Sequence, residues 1–341
     1  MNSVSKIVRE TSTAKTSLLW ELLLISVLSM SLAFISGYRL LGYGFDYWDY
    51  VAFYDQMDNS INWNYVRFEP AYVYTVWFAK WVLRFPYELF STIVITASLS
   101  IKFFIFRYYL KYWPLAIFSY ILIIYPIHEY TQIRISLSLS FCLLALHLSF
   151  QKKLIAPIIL TYIAFNFHYT SIVMIPFVMA AYFHDKSTIR KFVAFALPAI
   201  SVVIYLFSFF LIDLASQFSV AADAYMRSTT YAMNNDTVNI YSVAIILPFI
   251  VLISSFILGF HKNNYKIIYI YMTATSLCVA FSFLQFPVFS HRLREIFTVG
   301  LLFIAFDRNR TPQDWIPAFF VAAYGVASIY LGIRDKLIFE Y

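Results

Sequence analysis

Long apolar stretches separated by short polar breaks follow one another along nearly the whole chain. A helix crosses the hydrocarbon core of a bilayer in about 20 apolar residues, and these stretches reach or approach that length. They are apolar throughout rather than alternating, and a helix satisfies the backbone of such a segment in hydrocarbon. The pattern therefore predicts an all-α, polytopic integral membrane helical bundle of about 11–12 segments.

The segments form one predicted transmembrane domain over residues 1–341, with a first outer loop at 37–68 and a second outer loop at 213–238. No internal repeat or low-complexity linker divides it. The predicted segments are 18–36, 69–83, 86–106, 113–127, 131–150, 154–167, 170–183, 192–212, 239–260, 265–286, 293–306 and 315–333.

Composition excludes a soluble fold, because 13% of the residues are charged against about 25% in soluble proteins. The formal net charge is +7, yet most basic residues lie in the breaks between apolar segments, which is ordinary topology signalling. Nucleic acid is therefore not an expected partner, whereas the lipid bilayer is. The breaks at 151–153, 186–191 and 262–266 are predicted to be cytoplasmic.

The segment 69–83 breaks this alternation. If it crossed fully, every later basic break would lie outside the cell. It is short and carries Lys80, Trp77 and Trp81, so we expect it to be re-entrant or to lie at the membrane surface.

Basic residues assigned to the outer face are all arginines. A guanidinium offers a planar fork that matches two phosphate oxygens, so a face that uses Arg and avoids Lys indicates recognition of a fixed anion such as a pyrophosphate. The alternative is that these arginines pair with Asp and Glu on the same face. The set consists of Arg39, Arg67, Arg134, Arg227, Arg292 and Arg294.

Arg134 stands where a helix is predicted to begin within the membrane. His128 and Gln132 are four residues apart, as are Tyr130 and Arg134, so the spacing predicts a shared helical face for each pair. A charge buried near mid-membrane costs at least about 2.5–3.5 kcal/mol and normally faces a cavity. We therefore expect His128 and Arg134 to bind substrate.

A second such stretch is the predicted turn 286–295. His291 lies on the same face as Arg294 and Glu295, beside Arg292. The four residues are candidate substrate-binding groups for the same reason, and interfacial anchoring is the alternative.

Three histidines are assigned to the outer face. His168 stands between two apolar segments with almost no loop, and His128 and His291 belong to the same side. A lone histidine is usually a hydrogen-bonded interface residue. Three of them could share a polar cavity, where a near-neutral histidine can deprotonate a sugar hydroxyl.

The first outer loop mixes acids with Tyr and Trp, a combination suited to sugar binding. Tyr47 is a candidate for the apolar face of a pyranose, and Asp46 for its hydroxyls. A solvated acidic loop is the alternative. The paired acids Asp46/Asp49 and Asp55/Asp58 could ligate a divalent cation, but we predict no metal and no cofactor, and the chain has no phosphate-binding glycine loop or nucleophile-elbow serine.

Five short motifs follow one another along the chain. They are Gly44-x-Asp46-Tyr47, Glu69-Pro70-x-Tyr72, Ile133-Arg134, Phe167-His168-Tyr169-Thr170-Ser171 and His291-Arg292-Leu293. In this order they resemble the motifs of the EpsG family of exopolysaccharide proteins, relatives of the Wzy-type O-antigen and capsule polymerases. The chain departs from the family pattern after Arg134 and at His291, where tyrosine is usual.

The resemblance implies a multi-pass glycosyltransferase of the bacterial inner membrane with a glycosyltransferase C-like fold. Such polymerases transfer a growing glycan from undecaprenyl pyrophosphate to the next lipid-linked repeat unit at the outer face, and a chain-length regulator is a possible partner. For that chemistry we assign Arg134, Arg292 and Arg294 to the pyrophosphate. We assign the acceptor hydroxyl to His168 or Asp46. We assign its positioning to Glu69 with Arg67.

Other functions share parts of this pattern. A flippase for lipid-linked oligosaccharide would also need an anion-binding cavity, but it should carry internal repeats and ionisable residues through the depth of the bundle, whereas here they are expected near one face. An O-antigen ligase or polyprenyl-phosphate-sugar transferase uses the same chemistry on another acceptor, and an acyltransferase fits the arginines less well.

Overall fold

The computed structural model describes residues 2–42, 46–61, 63, 68–184, 203, 206–207, 210, 239, 241–284, 286–306 and 315–334. Within these ranges the chain is helical, with no strand. The predicted segment 192–212, apart from four of its residues, falls outside this part of the chain. The break at 186–191 and the loop 213–238 also fall outside it.

The helices are numbered here in chain order. A π-helical turn, Phe78–Val82, extends α3, and a 3₁₀ helix, Tyr169–Met174, precedes α9. The helices are α1 Asn2–Gly37, α2 Tyr47–Gln56, α3 Pro70–Trp77, α4 Tyr87–Tyr109, α5 Trp113–Ile123, α6 Tyr125–His128, α7 Ile133–Phe150, α8 Ile155–Phe167, α9 Ile175–Tyr182, α10 Val243–Ile257, α11 Lys266–Ser282, α12 Pro287–Thr298, α13 Gly300–Ala305 and α14 Trp315–Arg334.

Three of the described helices are long and apolar enough to cross a bilayer, namely Leu18–Gly37 within α1, α4 and α7. Six shorter apolar helical segments accompany them. The prediction of an all-helical membrane bundle is thus confirmed, and the count of 11–12 segments stays a prediction. The centre of the bundle is α7, which packs against α4, α8 and α9.

Segment 69–83 returns the chain to the face it came from. Gly37 at the end of α1 packs so closely on the first turns of α4 that a Cβ atom would clash with the hydroxyl of Thr92, and Arg107 at the far end of α4 bonds Glu21 of α1 at 2.7 Å. The chain therefore leaves α1 and enters α4 at one end of the bundle. Since α2 and α3 lie between these two points, 69–83 does not add a net crossing, as predicted.

Lys80 anchors the end of segment 69–83 to α2. Its Nζ donates to the backbone carbonyls of Tyr54, Asp55 and Met57 at 2.7–3.0 Å. These carbonyls lie at the end of α2, so α3 with its π turn folds back along α2 and is held there.

The start of α7 is recessed into the bundle. Ser98 of α4 bonds Ser136 of α7 at 2.6 Å, and Tyr109 bonds His147 at 3.1 Å; both pairs are 38 positions apart. The two helices therefore run parallel in one register. It follows that α7 begins about eight residues, or about 12 Å, further in than the first residue of α4, the end that is predicted to be outer.

Two predictions about the polar turns are wrong. The spacing placed His128/Gln132 and Tyr130/Arg134 on continuous helical faces, but the helix breaks after α6 and Gln132 is non-helical, with φ −118° and ψ 62°. The stretch 286–295 is not a turn, because α12 begins at Pro287. Proline is suited to the first helical position, where no N–H bond is needed.

A buried ion pair joins α4 to the residues after α6. Lys102 Nζ lies 2.5 Å from Glu129 Oε1, and neither side chain is exposed. Tyr120, Ser98 and Ser136 surround the pair with hydroxyls at 2.5–3.5 Å. The expectation that ionisable residues gather near one face is therefore wrong for this pair, because Lys102 lies about two-thirds of the way along α4.

We expect Lys102→Met to lower the free energy of unfolding by about 3–5 kcal/mol, because it leaves the Glu129 carboxylate buried without a counter-charge. Lys102→Met combined with Glu129→Gln removes both charges and should recover much of that loss. Thermal unfolding of the purified protein in detergent measures both. As a control, breaking the more exposed Arg107–Glu21 pair with Arg107→Met should cost about 1 kcal/mol or less; equal losses in the single and double Lys102 variants would contradict this interpretation.

Candidate functional site

Glu69 joins two groups that lie far away in sequence. Its Oε2 accepts a hydrogen bond from Arg134 Nη1, and its Oε1 accepts one from His168 Nδ1 at 2.7 Å. The backbone N–H of Tyr169 also donates to Oε1, at 3.3 Å. The Glu69, Arg134 and His168 side chains are 6%, 13% and 11% exposed. We call these three residues the Glu69 cluster.

Each member of the cluster is placed by the end of a helix. Pro70 occupies the first position of α3, which leaves Glu69 extended at the N-cap. Arg134 lies in the first turn of α7. His168 ends α8 in an extended conformation, with φ −159° and ψ 118°. Since α7 begins below the outer end of α4, the cluster is recessed within the bundle.

Charges within the cluster set the protonation of its acid and base. Burial raises the pKa of Glu69, but the His168 hydrogen bond and the Arg134 charge outweigh burial and lower that pKa to about 2. Burial, together with the charges of Arg134 and Arg292, lowers the pKa of His168, although the Glu69 carboxylate acts to raise it. At neutral pH a neutral His168 therefore donates from Nδ1 to an ionised Glu69.

That tautomer leaves the lone pair on Nε2 of His168. Nε2 is buried and makes no hydrogen bond to the described residues. An imidazole held through Nδ1 by a carboxylate, with Nε2 unused, is the arrangement of a general base oriented by an acid. The cluster can therefore accept a proton at one defined atom.

Aromatic rings hold Arg134 from one side. The guanidinium carbon lies 4.4 Å from the Phe68 ring centroid, and Nε donates to the Tyr50 hydroxyl at 3.3 Å. Nη1 is used by Glu69, whereas no hydrogen bond from Nη2 to the described residues is present. The remaining side of the fork can serve a phosphate oxygen.

A second arginine approaches the cluster from α12. Arg292 Nη2 lies 3.5 Å from Asp46 Oδ1, an ion pair between residues 246 positions apart with side chains 29% and 21% exposed. The charge of Arg292 also acts on His168. The first outer loop and α12 therefore meet beside the Glu69 cluster.

A family model supports this grouping of motifs. The model described as the EpsG family matches residues 22–333. The chain belongs to the EpsG family. This is a family of exopolysaccharide, Wzy-like polymerase-type membrane proteins, so the resemblance noted from the motifs is confirmed. Neither the curated proteins nor the solved structures contained a match.

The Glu69 cluster draws one residue from each of three stretches that resemble EpsG-family motifs. Glu69-Pro70, Ile133-Arg134 and Phe167-His168 are spread over about a hundred residues. The fold brings their polar side chains into direct contact. Asp46 and Arg292, from the first and last motifs, are likewise paired.

Two predicted substrate contacts are held by the protein itself. Arg294 is buried, with Nη1 3.4 Å from the Ala244 carbonyl and Nη2 3.0 Å from Nδ1 of His291. These contacts tie α12 to α10. Substrate binding by Arg294 and His291 stays a prediction, whereas Arg292, on the same helix, is directed at Asp46 and the cluster.

Two other residues predicted to bind substrate, His128 and Glu295, lie deeper in the helical bundle. His128 is 1% exposed, and neither ring nitrogen bonds the described residues; the charges of Lys102 and His168 both act on it. Glu295 lies within hydrogen-bonding reach of Gln132. Both therefore belong to the polar interior behind His168, and their contact with substrate stays a prediction.

The aromatic residues of the first outer loop divide into buried and exposed ones. Tyr47 is 6% exposed, with the Arg39 guanidinium 4.6 Å from its ring centroid and the Tyr87 ring against its edge. Both neighbours cover its ring, and its contact with a sugar stays a prediction. Trp48 is 59% exposed and better placed for that role.

Some of the predicted chemistry falls outside the described residues. Arg67, assigned to positioning, is one such residue, and Arg227 is another. Over the described ranges no group of three or more His, Cys, Asp or Glu could hold a metal ion. The paired acid Asp46 is engaged with Arg292.

Three residues that make important contacts in the structure were not predicted from the sequence. Phe68 and Tyr50 hold Arg134 but carry no charge that would have singled them out. Lys102 did carry a signal, because a lysine inside a helix as apolar as α4 needs a buried partner. Its partner Glu129 stands directly after His128, in a stretch already marked as polar.

Proposed function

We propose that this protein is a polysaccharide polymerase of the bacterial inner membrane. It transfers a growing glycan from undecaprenyl pyrophosphate to the terminal sugar of the next lipid-linked repeat unit, at the outer face. Membership of the EpsG family supports the polymerase class. The one observation that carries the chemistry is the Glu69 cluster, an oriented base beside an arginine with part of its fork unused.

Glycan transfer requires a base for the attacking hydroxyl. In the proposed reaction, Nε2 of His168 takes the proton of the acceptor hydroxyl while its oxygen attacks the anomeric carbon of the donor. Glu69 keeps the ring in place and stabilises the imidazolium that forms. The bond between the anomeric carbon and the pyrophosphate oxygen breaks, and the proton then passes from His168 to the departing group.

The departing pyrophosphate needs positive charge where its own charge develops. Arg134 supplies Nη2 from the start of α7, and Arg292 supplies a second guanidinium from α12. Two arginines can offset charge that a metal ion would otherwise balance. We therefore expect transfer to proceed without a divalent cation.

One structural observation favours this proposal over a flippase. The deep ion pair Lys102–Glu129 is fully enclosed and surrounded by hydroxyls. A transport site must be reachable by its cargo, so this pair supports a structural role rather than a translocation pathway.

Cells that lack the protein should accumulate single repeats on undecaprenyl pyrophosphate and lose the polymer, and the wild-type gene should restore it. Lipid-linked saccharides extracted from the membrane and separated by size report this directly. The repeats should be open to an impermeant oxidant, since flipping continues. Repeats protected from the oxidant would indicate a flippase instead, and full-length polymer left on the lipid would indicate a ligase.

A further inference from the structure

An apolar groove runs along the lipid-facing side of α8. Both α8 and α9 pack on α7, but the two barely contact each other, because the chain reverses at His168 and the arms separate below it. The gap encloses about 570 Å³. Its walls include Leu154, Ile158 and Phe165 of the α8 arm and Met179 of α9.

The groove leads away from the Glu69 cluster. Phe165 and Ile172, which line its outer end, lie three and four residues from His168. Lys153 and Phe183 line the opposite end, next to the predicted cytoplasmic break at 151–153. The outer end of the groove therefore lies within about one helical turn of His168 along the chain.

The surface of the groove suits a hydrocarbon chain. Ile158 is 61% exposed and Met179 56% exposed. The hydroxyl of Thr161, a polar group on the wall, is already bonded to the Pro157 carbonyl at 2.8 Å. Few polar atoms on the wall of the groove therefore need a hydrogen-bond partner from a ligand.

The groove is longer than the acyl chain of an ordinary phospholipid can fill from the outer face. From Leu154 to Phe165 the wall extends about 16 Å along α8. Its outer end lies three residues along the chain from His168, in a cluster that is itself recessed by about 12 Å. A phospholipid of the outer leaflet covers about 15 Å, half of the hydrocarbon core. A chain anchored at the outer face must therefore pass the midplane to fill the groove.

We propose that this groove binds the polyprenyl chain of the lipid-linked substrate while the pyrophosphate lies at Arg134. The proposal rests on the proposed function for the identity of the lipid. On this proposal the long isoprenoid chain lies against the α8–α9 side of the bundle.

The test uses p-benzoylphenylalanine, a photo-crosslinking residue, at Phe165 or Leu154 in the full chain in lipid nanodiscs. A matched control position is Phe104, an exposed lipid-facing residue of α4. The probes are radiolabelled undecaprenyl pyrophosphate and geranyl pyrophosphate, whose chain is too short to reach Leu154. Undecaprenyl pyrophosphate should label both groove positions and geranyl pyrophosphate only Phe165, with loss of label on adding unlabelled undecaprenyl pyrophosphate.

Labelling at Leu154 no stronger than at Phe104, or competition by phosphatidylglycerol as effective as by undecaprenyl pyrophosphate, would show that ordinary membrane lipid fills the groove. This readout does not depend on transfer activity. Labelled grooves in a protein that forms no polymer would overturn the proposed function alone, and polymer formation with unlabelled grooves would overturn the groove alone.

Discussion

Replacing His168 with Gln should slow glycan transfer by about 10²–10⁴-fold, the usual contribution of a general base. The amide of Gln can still donate to Glu69, so the cluster keeps its shape, but no basic lone pair remains at the position of Nε2. Initial rates of polymer formation in purified membranes measure the effect. The amount of folded protein should stay at the wild-type level.

The pH dependence separates a catalytic base from a structural histidine. His168 acts in its neutral form, so activity falls as pH drops through its pKa. Because burial lowers that pKa from 6.5, the wild-type rate should hold to below pH 6.5. Glu69→Gln removes the carboxylate that raises the pKa, so the profile should move to still lower pH while the maximal rate drops.

A matched control for His168 is His261→Gln, near the end of α10, where the ring stacks on Phe256. It should leave both rate and pH profile unchanged. A His168→Gln variant with normal protein and a wild-type rate would show that His168 is not the base.

Arg134→Lys should slow transfer by about 10²–10³-fold, the effect of removing one donor aimed at developing negative charge. Lysine keeps the charge but has a single nitrogen, so it cannot bond Glu69 and the phosphate as a planar fork does. Cells with this variant should accumulate single lipid-linked repeats at normal protein level. Arg292→Lys should act in the same direction.

The chain offers a close control in Arg107→Lys, since Arg107 also bonds a glutamate, Glu21, at 2.7 Å, but at the end of α4 that is predicted to be cytoplasmic. That variant should leave polymer length unchanged. Full-length polymer at the wild-type rate from Arg134→Lys would make this arginine an interface anchor. Loss of the protein itself would make it a structural partner of Glu69.

The sequence predicted the membrane bundle well, because the requirement for helices in hydrocarbon depends on composition and length alone. It also predicted that 69–83 adds no net crossing. The charge alternation requires that one of the segments 69–83 and 86–106 does not cross, and 69–83 is the shorter. Glu69, Arg134 and His168 could be chosen as candidates, because polar groups are costly in apolar surroundings. Their mutual contact could not be read from the sequence.

The remaining features depend on tertiary contacts. Local spacing favoured a continuous helix through His128 and Arg134, but Glu129 turns inward to Lys102 and the helix breaks there. The ring of Tyr47 is covered by Arg39 and Tyr87, two contacts that the sequence does not reveal. Each outcome was decided by a partner many residues away.

Purified protein in vesicles, supplied only with the lipid-linked repeat unit, gives the most direct test that this chain is a polymerase. Saccharide length on gels and released undecaprenyl pyrophosphate are measured together. Wild-type protein should produce a ladder of multiples of the repeat, releasing one undecaprenyl pyrophosphate for each bond formed, and Arg134→Lys should leave the single repeat. Repeats that change leaflet without growing, with no undecaprenyl pyrophosphate released, would contradict the proposal.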